Sequence, residues 1–389
     1  MGEDRGMDKG EVRARRTAAV ASCRRVLSRP VRPGMRDKLR QLAAAAGDGQ
    51  ADHYGDGVVR ELELRVAELL GMPDAAFFPT GTMAQQVALR AWAGRTGNPV
   101  VALHPLAHPE VHERGALQTV TGLRTVHPTT SPRLPSADEV RDMEEPFGTL
   151  MIELPLRDAG FVLPTWDELT ATVAAAREAD AVVHLDGARL WECTPHFGRT
   201  LPEIAGLADS VYVSFYKSLE GLSGAMLAAS AELVAEAKAW RHRYGGMLFE
   251  QFPVVLAAHA GLDTELPRLP TYVAHAKPVA RALREGLAAA GVPVPRVHPE
   301  VPHTHQFQLW LPCPADVLNE ASIRQAEQTG QSLLGTGQFH EPGLPGLSTT
   351  EITVAASALE WTEDDVRAAA ADFAHCVTEA AGSTQAAGA

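Results

Sequence analysis

The chain has 389 residues, of which 45% are hydrophobic and 21% charged, a composition typical of globular domains and unlike that of disordered or fibrous chains. At about 100–200 residues a domain, this length predicts two or three domains. The 35 Lys and Arg residues against 48 Asp and Glu residues give a formal net charge of −13. This acidity argues against a nucleic-acid or anionic-membrane binder, since both classes depend on clustered positive charge.

The cysteines and the ends of the chain predict a location. The cysteines are scattered and form no C-x-x-C pair: Cys23, Cys193, Cys313 and Cys376. This pattern is typical of a reducing compartment and predicts neither a disulfide scaffold nor a zinc module. Residues 1–16 lack the apolar stretch of a secretory signal, and the apolar run near 252–262 is too short to span a bilayer. We therefore expect a cytoplasmic protein.

The two ends of the chain differ in composition from the middle. Residues 1–16 are charged and contain Gly, and residues 382–389 are Ala, Gly, Ser, Thr and Gln. Both segments are predicted to be disordered tails.

Helical and strand patterns alternate from residue 59 onward. Apolar residues from Val59 to Leu70 recur at helical spacing, and Gly71 follows where a C-terminal cap belongs. A second helix is predicted after Thr80-Gly81-Thr82. Short apolar runs predict strands at 99–103, 150–154, 182–185, 210–215 and 225–229.

A capping box of Thr165 and Glu168 opens a helix between two of these strands. This βαβ arrangement favours a mostly parallel sheet covered by helices. Pro and Gly residues at 253–270 predict a boundary between a large domain, 17–262, and a small domain, 263–381. In the small domain we predict a helix at 279–290, a strand at 306–311 and a helix at 362–379. The predicted fold class is α/β, with a smaller C-terminal α+β domain.

Charged side chains follow two predicted strands of the large domain. The run His184-Leu185-Asp186-Gly187-Ala188-Arg189 ends one strand, and Lys217 follows another. Ligands of open α/β sheets bind at the carboxyl ends of the strands. A lysine that forms a Schiff base and an aspartate that pairs with a pyridinium nitrogen suit pyridoxal phosphate as a cofactor.

A third motif, Pro79-Thr80-Gly81-Thr82-Met83, is a turn of small residues whose backbone N–H groups can hold a phosphate. Each motif alone is a weak signal, but the three in this order are specific. The series His104, His108 and His112 suggests a metal face. Because prolines at 105 and 109 interrupt any helix that would align these histidines, we predict no metal site.

Together these motifs resemble the threonine aldolase / β-eliminating lyase family of pyridoxal-phosphate enzymes, from about residue 54 to 230. The resemblance includes the turn at 80–86, His108 with Glu113 five residues on, the 184–189 block, and Lys217 ahead of a Gly-containing strand. It implies the fold-type-I fold of these enzymes, with a mostly parallel central sheet.

The resemblance also implies roles for individual residues. Lys217 would carry the cofactor, Asp186 would pair with its ring nitrogen, and His108 would stack on its ring. These three are the predicted catalytic residues. Gly81 and Thr82 would bind the cofactor phosphate.

A further residue of the cofactor site, Arg189, would hold the substrate carboxylate, which a guanidinium can bind bidentately. The stretch after the strand at 150–154 departs from the family pattern Glu-Asn-x-His. Leu156 stands in place of that histidine, and Arg157 and Asp158 add charges.

Two further departures concern the ends of the chain. The segment 351–355 lacks an arginine that many members use for the carboxylate, and 23–28 stands in place of the usual Ser-Asp segment. His305 could supply a replacement polar group, or could be a half-buried strand residue with local hydrogen bonds.

The resemblance implies a lyase that cleaves the Cα–Cβ bond of a threonine-like β-hydroxy-α-amino acid to glycine and an aldehyde. The loss of the histidine at Leu156 leaves β-elimination or other Cα-deprotonation chemistry as the alternative. A non-catalytic binding protein is a third hypothesis, which Lys217 and Asp186 weigh against. The family also implies a homodimer or homotetramer acting on a small amino acid.

Overall fold

A computed structural model describes residues 9–387 of the chain. Contacts divide it into two units. The sheet unit is Met35–Pro270, and the terminal unit combines Met1–Gly34 with Thr271–Ala389. Along the described residues, no helix is both long and apolar enough to cross a membrane.

The described helices and strands are numbered here in chain order. The helices are α1 Lys9–Ser22, α2 Met35–Ala46, α3 Gly57–Leu70, α4 Gly81–Thr96, α5 His108–His112, α6 Ala116–Thr121, α7 Ala137–Arg141, α8 Trp166–Glu178, α9 Thr194–Phe197, α10 Leu201–Ala205, α11 Ala231–Arg243, α12 Phe252–Thr264, α13 Leu269–Ala289, α14 Ala315–Thr329 and α15 Glu363–Ala387. The strands are β1 Arg25–Val26, β2 Asp74–Phe78, β3 Val100–Ala102, β4 Arg124–Val126, β5 Thr149–Glu153, β6 Val182–Gly187, β7 Ser210–Ser214, β8 Ala225–Ala229, β9 Arg296–His298, β10 Gln306–Leu311, β11 Gln331–Ser332 and β12 Ser348–Thr353.

The sheet unit is built on seven strands in the order β2-β8-β7-β6-β5-β3-β4. Strands β3 to β7 run parallel, and β8 is antiparallel to both of its neighbours. Strands β5, β7 and β8 are buried along their whole length, as expected when helices cover both faces of a parallel sheet. The predicted α/β class and mostly parallel sheet are confirmed.

Helix starts and ends follow the predicted signals. Gly71 caps α3 in the left-handed conformation with φ 63°, and the capping box at Thr165 opens α8. Thr80 caps α4 by accepting a hydrogen bond from the Met83 N–H at 3.2 Å. These caps satisfy backbone groups that a helix end leaves unpaired, so they set where each helix begins or ends.

The terminal unit differs from the predicted domain boundaries. Its three-stranded antiparallel sheet has the order β12-β10-β9, and β1 pairs in parallel with β11. The N-terminal segment was predicted to belong to the large domain, but this pairing joins it to the C-terminal residues. The boundary between the units falls after Pro270 and not at residue 262. Pro253 does not interrupt the chain before this point, because it stands in the first turn of α12, where proline is tolerated.

The prediction of disordered tails is wrong for the residues that the structure describes. Residues 9–16 belong to α1, where Arg16 is buried and its Nη1 donates to the Gly337 carbonyl at 2.8 Å. Residues 382–387 continue α15 beyond its packed residues Ala380 and Ala381, as expected when tertiary packing stabilises a helix more than the propensities of its residues do. Residues 1–8 and 388–389 lie outside the described residues.

Candidate active site

Three neighbouring parallel strands end at one edge of the central sheet and place the predicted site. Glu153 ends β5 and is the register partner of Asp186 on β6. Asp186 is in turn the register partner of Tyr212 on β7, and Lys217 follows the end of β7. The strand-end rule therefore brings two carboxylates, a phenol and a lysine to one edge.

Lys217 is held between elements that are themselves fixed. Ser218 donates a hydrogen bond to the buried Glu192 carboxylate, and the Gly221 N–H donates to the Phe215 carbonyl at 2.8 Å. A Cβ at Gly221 would lie 2.7 Å from the same carbonyl oxygen, so glycine is required for this turn. The turn therefore holds the backbone on both sides of the lysine.

The surroundings of Lys217 favour its neutral form. Burial, followed by the nearby Arg189 guanidinium, lowers the pKa of the Lys217 ammonium group from 10.5 to about 8, against the opposing effect of Asp186. A neutral amine is the nucleophilic form, so the site prepares Lys217 to react with a carbonyl group.

The two carboxylates differ in their hydrogen bonds. Burial, followed by the neighbouring Asp186 carboxylate, raises the pKa of Glu153 to about 7. The two Glu153 oxygens accept the backbone N–H groups of His108 at 2.7 Å and Arg157 at 3.2 Å. Burial likewise raises the pKa of Asp186, whose Oδ1 accepts the Ala188 N–H at 3.1 Å. Glu153 thus joins the surrounding loops, while Asp186 lies beside Lys217.

His108 stands at the start of α5, next to a buried acid. Its Nδ1 lies 3.3 Å from Oε1 of Glu113, and Glu113 Oε2 accepts a hydrogen bond from Gln86 at 3.3 Å. The His108 side chain is about one-third exposed, whereas that of Glu113 is 1% exposed. His108 also acts electrostatically on Asp186, which places the two in the same site. The buried acid therefore lies beside Nδ1 of the His108 ring.

The predicted phosphate turn opens α4. Gly81 is buried and Thr82 is exposed at the first turn of this 16-residue helix, whose N-terminus favours anions. A Cβ at Gly81 would lie 2.8 Å from Cζ of Tyr212, so only glycine fits between the turn and β7.

Arg189 follows β6 and has no carboxylate partner within 4.0 Å in the described part of the chain. Its Nε is buried and has no hydrogen-bond partner among the described residues. Its Cζ lies 5.3 Å from the centroid of the Phe161 ring, within the range of a cation–π contact. This guanidinium is therefore available to bind an anion.

Several residues that the sequence analysis considered lie in the core. Leu156 is fully buried, and its apolar side chain offers no polar group in place of the family's histidine. His184 is buried with its ring nitrogens 2.7 Å from Ser210 Oγ and 2.6 Å from Gln85 Oε1, and burial lowers its pKa to about 3. In the terminal unit, His305 Nδ1 lies 2.7 Å from the Val354 carbonyl, a local bond of the kind expected for a strand residue.

The structure therefore brings Lys217, Asp186, His108 and Arg189 together. Sequence reasoning named Glu113 only as a motif residue beside His108, with no role in the site, and did not select Glu153, Tyr212 or Tyr216. Glu153 had a detectable signal, since it lies one residue before the end of the predicted strand at 150–154, close to where Asp186 stands relative to the predicted strand at 182–185. The two tyrosines precede the lysine within the same motif, but no rule of spacing distinguishes them from core aromatics.

Comparisons with known proteins agree with this geometry. A crystal structure from Exiguobacterium sp. 255-15, assigned as an aromatic amino acid β-eliminating lyase/threonine aldolase, superposes with a TM-score of 0.84 at 34% identity. The match covers 93% of this chain and 99% of that one. The fold is that of fold-type-I pyridoxal-phosphate enzymes. The chain belongs to the beta-eliminating lyase family, whose model matches residues 31–308.

Curated relatives carry two different activities. The low-specificity L-threonine aldolase of Candida albicans is 28% identical over 236 residues, which are 56% of this chain and 61% of that one. The alanine racemase TOXG of Cochliobolus carbonum is 30% identical over 244 residues, 58% of this chain and 60% of that one. The matched region thus spans about three fifths of these two relatives.

Proposed function

We propose that this protein is a pyridoxal-phosphate-dependent lyase that cleaves the Cα–Cβ bond of a threonine-like β-hydroxy-α-amino acid, giving glycine and an aldehyde. The observation that carries the proposal is the placement of Lys217, with a pKa of about 8, beside the buried Asp186 at neighbouring strand ends. Similarity to the Candida albicans threonine aldolase supports the reaction class.

The residues of the site fit pyridoxal phosphate. Lys217 presents a largely desolvated amine, and Asp186 is a buried carboxylate that a protonated ring nitrogen would neutralise. The N-terminus of α4, at Gly81 and Thr82, is suited to the phosphate. When bound, the cofactor supplies an electron sink for the pair of electrons released from the cleaved bond.

The remaining side chains act on the substrate. Arg189 binds the α-carboxylate, which gives its unpaired buried Nε an acceptor. His108, or a water molecule that it orders, takes the proton of the β-hydroxyl group. Because Glu113 contacts Nδ1, Nε2 of His108 is the nitrogen that receives this proton. Glu153 keeps the backbone of His108 in place.

Product analysis tests the reaction. The purified protein, incubated with pyridoxal phosphate and threonine, is expected to form glycine and acetaldehyde in equal amounts. A 2-keto acid with ammonia would show elimination instead. Similarity to the Cochliobolus carbonum alanine racemase keeps Cα-deprotonation as the second candidate, for which D-amino acids would be the product.

The pKa of Lys217 predicts how cofactor binding depends on pH. Only the neutral amine reacts with the cofactor aldehyde, so the rate at which the cofactor-free protein regains its visible absorbance should rise with pH and level off above about 8. Stopped-flow absorbance between pH 6 and 10 measures this profile. A rate still rising at pH 10 would contradict the lowered pKa.

The role of Arg189 predicts a defect in substrate binding. In Arg189→Lys the ammonium group cannot bind a carboxylate bidentately, so KM for threonine should rise by about 10–100-fold, with a smaller change in kcat. Steady-state kinetics measures both constants. Arg199→Lys, at an exposed position, serves as the matched control and should leave KM unchanged. An unchanged KM in Arg189→Lys would remove this residue from the substrate site.

We also propose that the protein is a cytoplasmic homodimer or homotetramer. The centroids of the Tyr54 and Phe249 rings lie 5.3 Å apart, and both side chains are about half exposed, which supports the proposal by offering apolar surface for a second subunit to cover. The four described cysteines are free, which agrees with a reducing compartment. Light scattering measures the oligomeric state, and a monomer that turns over substrate would contradict the proposal.

A further inference from the structure

A second histidine lies beside the proposed base, His108. His112 is one turn further along α5, and the centroids of the two rings lie 5.2 Å apart, with the ring planes at 44°. Both side chains are about one-third exposed. At this separation two imidazoles can exchange a proton directly or through one bridging water molecule. His112 is therefore placed to exchange a proton with His108.

A carboxylate fixes the His112 ring. Oδ2 of Asp158 lies 2.6 Å from Nε2 of His112, a distance typical of a charge-assisted hydrogen bond. Nε2 is the donor in this bond, since an ionised carboxylate only accepts. In the neutral ring the other nitrogen, Nδ1, then carries the lone pair that accepts a proton. Asp158 thus makes Nδ1 the proton acceptor of His112.

The loop that carries Asp158 is attached to the same carboxylate as the backbone of His108. Glu153, at the end of β5, accepts the N–H of His108 at 2.7 Å and that of Arg157 at 3.2 Å. Nη1 of Arg157 lies 3.4 Å from Nε2 of His112 and 3.5 Å from Oδ1 of Asp158. These two contacts are longer than the 2.6 Å bond, so the carboxylate and not the guanidinium decides which ring nitrogen carries the proton.

The base must lose the proton that it takes from the substrate before it acts again. Nδ1 of His108 contacts Glu113, which is 1% exposed and so offers that proton no path to water. Resting on the proposed function, we propose that His112 accepts this proton at Nδ1 and releases it to solvent. The proton moves from Nε2 of His108 after the aldehyde has left, directly or through one water molecule. Glycine takes up one proton from water at Cα, so the protons balance.

The charges around His112 suit a group that takes up a proton and gives it away. The Asp158 carboxylate stabilises the positive charge that the ring carries while it holds the proton. The Arg157 guanidinium opposes the same charge and favours release of the proton.

Two reactions of the cofactor-loaded protein test this relay. Cleavage of threonine requires removal of the β-hydroxyl proton, whereas exchange of a glycine α-hydrogen in D2O does not. In His112→Ala, kcat for cleavage should fall about 10–100-fold, because proton transfer is impaired, and KM should change by less than about twofold. Glycine exchange, followed by NMR, and the dissociation constant of pyridoxal phosphate should match those of the wild-type protein.

Chemical rescue shows whether the lost group acts as a base. Added imidazole should raise the cleavage rate of His112→Ala in proportion to its concentration. Pyrazole, a ring of the same size that is a much weaker base, should not. Asp158→Asn should lower kcat by only about 3–10-fold, because an amide oxygen still accepts from Nε2 but carries no charge. His375→Ala removes an exposed histidine that lies 3.3 Å from Glu379; it is the matched control and should change none of these measurements.

The outcomes are distinct. An unchanged kcat in His112→Ala would overturn the relay, as would an equal loss in glycine exchange or a rescue by pyrazole as large as that by imidazole. Thermal unfolding shows whether each variant is folded at the assay temperature, and Asp158→Asn tests the same relay with a smaller change of structure. A wild-type protein that exchanges the hydrogens of glycine but forms no glycine from threonine would refute the proposed function, and the relay with it.

Discussion

Lys217→Ala is expected to abolish lyase activity, with kcat falling on the order of 10⁴–10⁶-fold, as for the loss of a covalent nucleophile. The amine must follow β7 next to Asp186, and Lys217 stands there and acts electrostatically on that carboxylate. The variant should also lack the visible absorbance of the lysine-bound cofactor.

Chemical trapping identifies the lysine that is bonded to the cofactor. Borohydride reduction of the wild-type protein should fix the cofactor on Lys217, and peptide mass spectrometry locates the adduct. Lys277→Ala, at an exposed position of α13, is the matched control and should retain absorbance and activity. Persistent turnover in Lys217→Ala, or an adduct on another lysine, would remove Lys217 from the chemistry.

Asp186→Asn is expected to bind the cofactor but to lower kcat by about 10²–10³-fold, the usual effect of removing a preorganised electrostatic group. The amide preserves the size of the side chain and can still accept the Ala188 N–H. It cannot stabilise a cation on the cofactor ring, so less negative charge can be withdrawn from the reacting carbon.

A second measurement separates electrostatics from misfolding. The carboxylate of Asp186 acts to raise the pKa of Lys217, so its removal should lower that pKa below about 8. The pH at which cofactor reconstitution levels off should then move downward. The control is Asp138→Asn, at an exposed position, which should leave both measurements unchanged. Asp209→Asn is less suitable, because the Asp209 carboxylate accepts a hydrogen bond from the Val183 N–H. A normal kcat in Asp186→Asn would contradict its proposed role.

The parts of the site that could be predicted follow from strand ends. Asp186 and Lys217 each come after a short apolar run, and parallel strands bring such positions to one edge. The roles of His108 and Arg189 came from the family resemblance and not from spacing. In the structure, His108 acts electrostatically on Asp186 and Arg189 acts on Lys217, so both lie near the pair.

The parts that could not be predicted depend on contacts between distant segments. The fit of Tyr212 against Gly81 arises from strand register, which neither local sequence encodes. The pairing of β1 with β11 joins two-residue strands about 300 positions apart, far below the length at which alternation is detectable. The predicted tail at 1–16 overlaps the first part of α1 for a similar reason, since the apolar residues of this helix are few and its partner α14 is distant in sequence.

The pairing of β1 with β11 has a consequence for biosynthesis. The segment that contains β1 is synthesised before the sheet unit, whereas its partner β11 is synthesised after it. The sheet unit, Met35–Pro270, is contiguous and can complete its seven strands while that partner is still missing. During translation, therefore, the apolar side chains of α1 and β1 stay uncovered until α14 and β11 have been synthesised, and exposed apolar surface of this kind favours aggregation.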